Sequence, residues 1–235
     1  MIIDKNTEGV TFNGAYYEIT GDLCADCLDI KIRLNVSGKI EAGTWIKAGR
    51  WVKAGSWIKA GSWIKAGKWI EAGGEIEAGR QIEAGRWIKA GRWIKAGEGI
   101  KAGEGIKAGR QIKAGGEIEA RRQIKAGRWI KAGEGIKAGE EIEAGEEIEA
   151  GGEIVGMVKK AFGIKTSFFT RIESRWEIYI LSTHIKIGCQ LQPIEKLRKL
   201  SDEEINEMDK DALSWWNQNK SWILAITDNI QLLNT

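Results

Sequence analysis

One six-residue phrase recurs from residue 39 to residue 154, typified by Ser-Trp-Ile-Lys-Ala-Gly at 56–61. An aliphatic residue holds every sixth position from Ile40 to Ile154, and it is Ile throughout except at Val52. Ala follows two residues later at every step from Ala42 to Ala150. Gly comes next at every step from Gly43 to Gly151, with Arg121 as the exception. Six is a multiple of the strand period of two and not of the helical 3.6, so Ile and the following Ala share one face of a strand. The residue between them, mostly Lys or Glu, points the other way. So does the residue before Ile, which is Trp at 45, 51, 57, 63, 69, 87, 93 and 129. Gly and the residue after it then make a corner, where a bare Cα permits unusual backbone angles.

A helix fails on magnitude. Each interior Gly costs about 1 kcal/mol against Ala, so a helix through this repeat would give up roughly 15–20 kcal/mol at its glycines. Collagen needs Gly at every third residue. Low complexity often accompanies disorder, but the unbroken Ile/Ala register and the eight Trp argue for a packed core.

Short strands with a corner every six residues wind into a parallel β-helix, and hexapeptide repeats are one signature of that architecture. Three phrases complete a triangular coil of about 18 residues, with successive coils about 4.8 Å apart. The repeat thus predicts a mainly β, single-chain rod about 30 Å long at that spacing.

The Ile-x-Ala-Gly phrase resembles hexapeptide β-helices, both the left-handed type of acyltransferases and the right-handed type of the bacterial bactofilin cytoskeleton. The left-handed pattern places its small inward residue four after the aliphatic one. Here those positions include Arg50, Arg86 and Glu98, and Ala sits two after instead. The resemblance leaves both hands open.

Three segments follow from the pattern. Residues 1–38 are an N-terminal cap, in which Val10–Phe12 and Tyr16–Ile19 flank Asn13-Gly14 as a hairpin. Leu28 and Leu34 fall on the Ile register, which starts the winding near residue 28. Residues 39–154 are the rod. Residues 155–235 form an α+β capping or interaction module. Phe168–Ile187 read as strands, Ser201-Asp-Glu-Glu204 as a capping box opening a helix, and 209–232 as a second helix with Leu213, Trp216 and Ile223 on one face. Trp215, Trp216, Trp222 and Leu224 would cover the last coil, whose open edge otherwise invites association. The runs His184–Gln190, Ile194-Glu195, Ser201–Ile205 and Ala212–Trp216 resemble a C-terminal module of bacterial and phage repeat proteins. That resemblance implies phage or prophage kinship and carries over no catalytic residue.

The chain has 235 residues, 43% of them hydrophobic, and a net charge of +3, which fits a soluble protein. Its sequence has no run of about 18 apolar residues, so no membrane span or membrane partner is expected. The N-terminus lacks the features of a signal peptide, and three Cys in such a chain suggest a reducing compartment; together these place it in the cytoplasm of a bacterial host.

Outward residues vary over a fixed frame, and function is written in such variation. Eighteen-residue stacking aligns Trp51, Trp69 and Trp87, and separately Trp45 and Trp63. Lys53, Glu71 and Lys89 run beside the long column. Rigid aromatic area flanked by positive charge makes Trp51, Trp69, Trp87, Lys53, Lys89, Trp45 and Trp63 the candidate partner-binding residues. A purely structural role for the same Trp column is the competing reading. Charge is uneven as well. Residues 39–73 hold seven basic residues against Glu41 and Glu71, and residues 139–154 hold seven Glu and no base. A basic, aromatic surface suits single-stranded nucleic acid.

Hexapeptide acyltransferases use a His base, and the rod has none; His184 is the chain's one His. Cys24-Ala-Asp-Cys27 would need two more ligands to hold zinc, and only Cys189 and His184 are left. We expect ordinary thiols, no metal, no cofactor and no enzymatic activity. The expected function is a rigid binding surface for a macromolecule, with a phage-encoded inhibitor of a host or defence protein as its setting. The alternatives are a self-assembling structural protein, in which the chain forms a homo-oligomer, and a nucleic-acid-binding rod.

Overall fold

The computed structural model describes residues 2–3, 10–160, 163–166, 170–172, 176, 178–180 and 184–232. The chain winds into a parallel β-solenoid of about eight turns, with about 18 residues per turn. Each turn in the repeat is three short strands separated by corners, as in Trp51–Ala54, Ile58–Ala60 and Trp63–Ala66. Through the repeat, strands pair in parallel at a spacing of eighteen residues: Val52 faces Ile70, and Ile70 faces Ile88.

The inward face is what the period predicts. Every aliphatic residue from Ile40 to Ile154 is buried, as is every Ala from Ala42 to Ala150. Burying an Ile side chain stabilises by roughly 1.5–3 kcal/mol. Stacking like on like each turn lets the same rotamer repeat along the axis.

The corner glycines have a different physical reason from the expected one. None of those in the repeat has positive φ; among the described residues that conformation belongs to Gly14, Gly21, Gly156 and Gly188. Close approach is what demands Gly. At Gly67, Gly79, Gly91 and Gly97, an added Cβ would collide with the carbonyl oxygen of the residue eighteen positions earlier. The backbone ladder therefore continues through the corner, as in Gly67 N–H to the Ala48 oxygen at 3.0 Å and Lys68 N–H to the Arg50 oxygen at 2.6 Å. Arg121 fits this crowded place with a slightly longer bond: its N–H donates to the Ala102 oxygen at 3.3 Å, against 3.0 Å at Gly103 and 3.2 Å at Gly127.

Winding begins earlier than residue 28. Tyr17–Ile19 already pairs in parallel with Arg33–Val36, and Leu23 with Ile40. The first offset is seventeen residues, and a bulge between Ala25 and Cys27 changes it to eighteen from Cys27 onward. That irregular turn hides the coil from a search for period six. The Asn13-Gly14 hairpin forms, pairing Thr11 with Glu18 and Phe12 with Tyr17; the Asn13 side chain accepts from the Ala15 and Tyr16 N–H groups, each at 3.1 Å.

At the other end Gly163–Thr166 is still parallel to Glu147–Ala150. Thr170–Ile172 also pairs in parallel, with residues 154–156, and on its other edge the pairing turns antiparallel through Ile178–Ile180, His184–Ile187 and Gln190–Pro193. Phe168, the expected start of the strands, lies outside the described residues. Three helices follow: α1 (Ile194–Leu197), α2 (Asp202–Met208) and α3 (Ala212–Leu232). The capping box is present, with Ser201 Oγ accepting from Glu204 N–H at 3.2 Å and Glu204 Oε2 accepting from Ser201 N–H at 2.9 Å. Trp216 and Ile223 are buried and Leu213 packs against them. Helix α3 runs against Gly163–Thr166. Trp215 meets Trp176 edge-on at 5.1 Å.

Candidate functional site

The pleat sends the residue before each Ile outward, and eighteen-residue pairing collects these residues into columns. Trp51, Trp69 and Trp87 are in direct register, as are Trp45 and Trp63. The two columns differ in their ring packing. Trp45 and Trp63 stack, with centroids 5.1 Å apart and planes 7° from parallel. No ring contact links Trp51, Trp69 and Trp87. Trp51 instead meets Tyr16 of the N-terminal hairpin at 5.6 Å. Trp87 lies over the bare backbone of Gly105, the next residue in its column, and its Nε1–H donates to Glu104 Oε2 at 2.6 Å. Trp69, held by neither neighbour, is 46% exposed, and Trp57 on another face is 41% exposed.

The charged positions are ordered too. Lys53 pairs with Glu71 at 3.1 Å, Lys65 with Glu83 at 2.9 Å, Lys101 with Glu119 at 2.8 Å and Arg128 with Glu146 at 2.8 Å. Each pair bridges one coil to the next. Hydrogen bonding to Glu141, supplemented by Glu143, holds Lys125 above the usual lysine range against the opposing effect of desolvation. Lys89 does not continue the Lys53–Glu71 alternation: its ammonium lies over the Trp87 ring at 5.1 Å. The acidic coil at 140–149 is likewise not free charge, because Glu140, Glu141, Glu143, Glu146 and Glu149 all pair with bases one coil back. Much of the uneven charge at both ends is therefore paired between coils, while Lys47, Arg50 and Lys68 have no described carboxylate partner.

One corner carries three full basic rows in succession, and the sequence reading missed it. The motif Lys-Ala-Gly-Arg-x-Ile-Lys occurs at 89–95, 107–113 and 125–131, eighteen residues apart each time. Parallel pairing puts Lys89 beside Lys107 and Lys107 beside Lys125. Lys95, Lys113 and Lys131 align in the same way. Between these columns the corner backbone bonds Arg110 N–H to the Arg92 oxygen and Arg128 N–H to the Arg110 oxygen, each at 2.7 Å. The result is a grid of nine cations, three rows of three, each row about 4.8 Å from the next. An acidic row bounds each end: Glu71 and Glu77 before it, and Glu143, Glu146 and Glu149 after it. The outer rows pair outward, as in Arg92 to Glu75 at 3.4 Å, Lys95 to Glu77 at 3.1 Å and Lys131 to Glu149 at 2.6 Å. Lys107, Arg110 and Lys113, in the central row, are exposed, and no described carboxylate pairs with them. The signal was present in the sequence as a period of eighteen, visible only once the corner residue and its flanking lysines are read together.

Cys24 and Cys27 sit in the first coils, in register with Glu41 and Trp45, whereas His184 and Cys189 follow the last parallel strand. The rod separates them, so these four residues do not converge. The C-terminal module carries a half-open apolar pocket of about 130 Å³ lined by Trp176, Ile187, Leu197, Ile205, Trp215 and Trp216 among others. No helix among the described residues is long and apolar enough to cross a membrane. No protein-family model matches this chain, and no curated protein and no solved structure matches it either.

Proposed function

We propose that this chain is a non-enzymatic binding rod, which presents an ordered array of outward side chains to a macromolecular partner. The observation that carries this reading is the exposure of Trp69 on a column fixed by backbone pairing to Trp51 and Trp87. Large aromatic surface held on a rigid frame needs little reorganisation to bind. Lys53 and Lys89 flank it and speed encounter with an acidic partner. The hexapeptide phrase supports kinship with other hexapeptide β-helices. The resemblance of residues 184–216 to a module of phage repeat proteins supports a phage-encoded inhibitor acting on a host or defence protein in the bacterial cytoplasm.

The test replaces Trp51, Trp69 and Trp87 by Gln, which the repeat already uses at 81, 111 and 123. Immobilised wild-type and variant proteins are compared for partner capture, and circular dichroism checks the winding. The reading predicts unchanged winding and loss of capture. A variant that winds normally and captures the same partners equally well would exclude this column as the contact surface.

A further inference from the structure

We infer that the nine-cation corner binds single-stranded nucleic acid, with its three basic rows taking phosphates and Trp93 and Trp129 taking bases. The inference rests on the binding-rod reading and names a partner class for an adjoining part of its surface, which shares Lys89 with the Trp51/Trp69/Trp87 column.

Elsewhere many a Lys is answered by a Glu one coil away, as at Lys53–Glu71, Lys59–Glu77 and Lys65–Glu83. Although Arg50, Lys68 and Arg86 also stack, Glu71 and Glu83 stand beside them. Like charges stacked in register repel. Three consecutive basic rows are therefore the arrangement that folding alone disfavours, and one Glu row at 107–113 would relieve it. Lys107, Arg110 and Lys113 instead remain exposed and unmatched by any described carboxylate. A surface built this way is complementary to a polyanion.

A second copy of the same corner does not fit. Matching three adjacent basic rows takes three adjacent acidic rows, and this corner has acid only in separate rows, with Glu41, with Glu71 and Glu77, and with Glu143, Glu146 and Glu149. No register of two such corners covers all three basic rows with acidic ones.

The aromatic residues narrow the polyanion further. Trp93, Gln111 and Trp129 form the outward column between the Arg column and the outer Lys column. Both Trp are half-buried, so one face is held while part of the ring meets solvent. Bases stack on such rings whatever their sequence, and basic side chains alongside track the backbone. Acidic peptides have nothing to place there. The three rows stand about 10 Å tall between the acidic rows. A duplex, whose major groove alone is about 12 Å wide, would overhang onto those carboxylates. A single strand crossing the corner at right angles to the rod stays within the basic rows.

The test uses the full chain and a fluorescein-labelled oligothymidylate of about 12 nucleotides. Anisotropy gives affinity, and intrinsic Trp fluorescence reports stacking. Matched duplex DNA, inorganic polyphosphate and polyglutamate are the comparison probes. With roughly three to four phosphates neutralised, log affinity should fall against log salt with a slope of about −2 to −3. The variant Lys107→Gln/Arg110→Gln/Lys113→Gln should weaken binding at least tenfold and flatten that slope by about 2. Trp93→Gln/Trp129→Gln should weaken binding about fivefold or more and abolish fluorescence quenching, at unchanged circular dichroism. The inference is overturned if the strand does not bind at about 50 mM salt, or if the charge variant binds it as well as wild type. It is also overturned if duplex, polyphosphate or polyglutamate binds as tightly as the strand, or if the Trp variant binds and quenches like wild type. Such results leave the Trp51/Trp69/Trp87 reading standing, because that column is untouched by both variants.

Discussion

The Cα of Gly97 lies against the carbonyl oxygen of Gly79, one coil earlier, so closely that a Cβ at Gly97 would occupy the oxygen's place. The same relationship recurs along the rod and explains the corner Gly without any special φ. Gly97→Ala should therefore destabilise the rod by roughly 1–3 kcal/mol, as overpacking does in a tight core. Urea midpoints at constant slope are the measurement. Arg121, already in such a place, shows that a shift can absorb a side chain at one corner, so Arg121→Gly should change stability less than Gly97→Ala. Equal and small effects at both positions would mean the corners are looser than this packing indicates.

The two Trp columns should behave differently. Trp63 stacks on Trp45, whereas Trp69 meets no neighbouring ring. Trp63→Gln should cost about 0.5–1.5 kcal/mol more than Trp69→Gln, the usual worth of an aromatic pair beyond its area. Paired thermal or urea denaturation of the single variants checks this. A larger loss at Trp69 would contradict the assignment of Trp69 as surface and Trp63 as support.

The tail should protect the last coil. Helix α3 runs against Gly163–Thr166, and deleting residues 193–235 uncovers that strand together with the apolar surface around Trp176. The truncated chain should form larger species in light scattering, because an open sheet edge pairs with another. Wild-type monodispersity in the truncated chain would rule out a capping role.

The rod was legible because its signal is local and repeated. Ile at every sixth residue sets both the period and the face, and registry at eighteen then places Trp69 between Trp51 and Trp87. What the sequence did not disclose depends on three dimensions at once. Whether Trp rings stack is decided by what lies on either side: Tyr16 draws the Trp51 ring, and Gly105 leaves room for Trp87 to lie down. Gly was legible as a corner, but the crowding that requires it comes from a backbone one coil away. The basic corner was hidden because Lys89, Arg92 and Lys95 look like ordinary drift between Lys and Glu until the rows above and below are aligned. The first coil was hidden by its seventeen-residue offset at Tyr17 and Leu23.

The central claim is that three hexads make one coil and that outward function follows the eighteen-residue register. Duplicating residues 105–122 in tandem adds one whole coil and a fourth basic row. Duplicating only 105–110 keeps the Ile and Ala spacing but turns every later column onto the next face. Small-angle X-ray scattering and denaturation on both proteins, beside wild type, provide the measurement. The eighteen-residue insertion should lengthen the rod by about 4.8 Å and retain cooperative unfolding at wild-type stability or better. The six-residue insertion leaves ladders on either side of it intact, such as Arg128–Glu146 and Lys131–Glu149, but it parts Lys101–Glu119 and splits the nine-cation grid between two faces. In the anisotropy assay it should therefore bind the labelled oligothymidylate more weakly than wild type, whereas the eighteen-residue protein should bind it at least as tightly. Equal strand affinity for the two insertions, or collapse of the eighteen-residue one, would contradict the account.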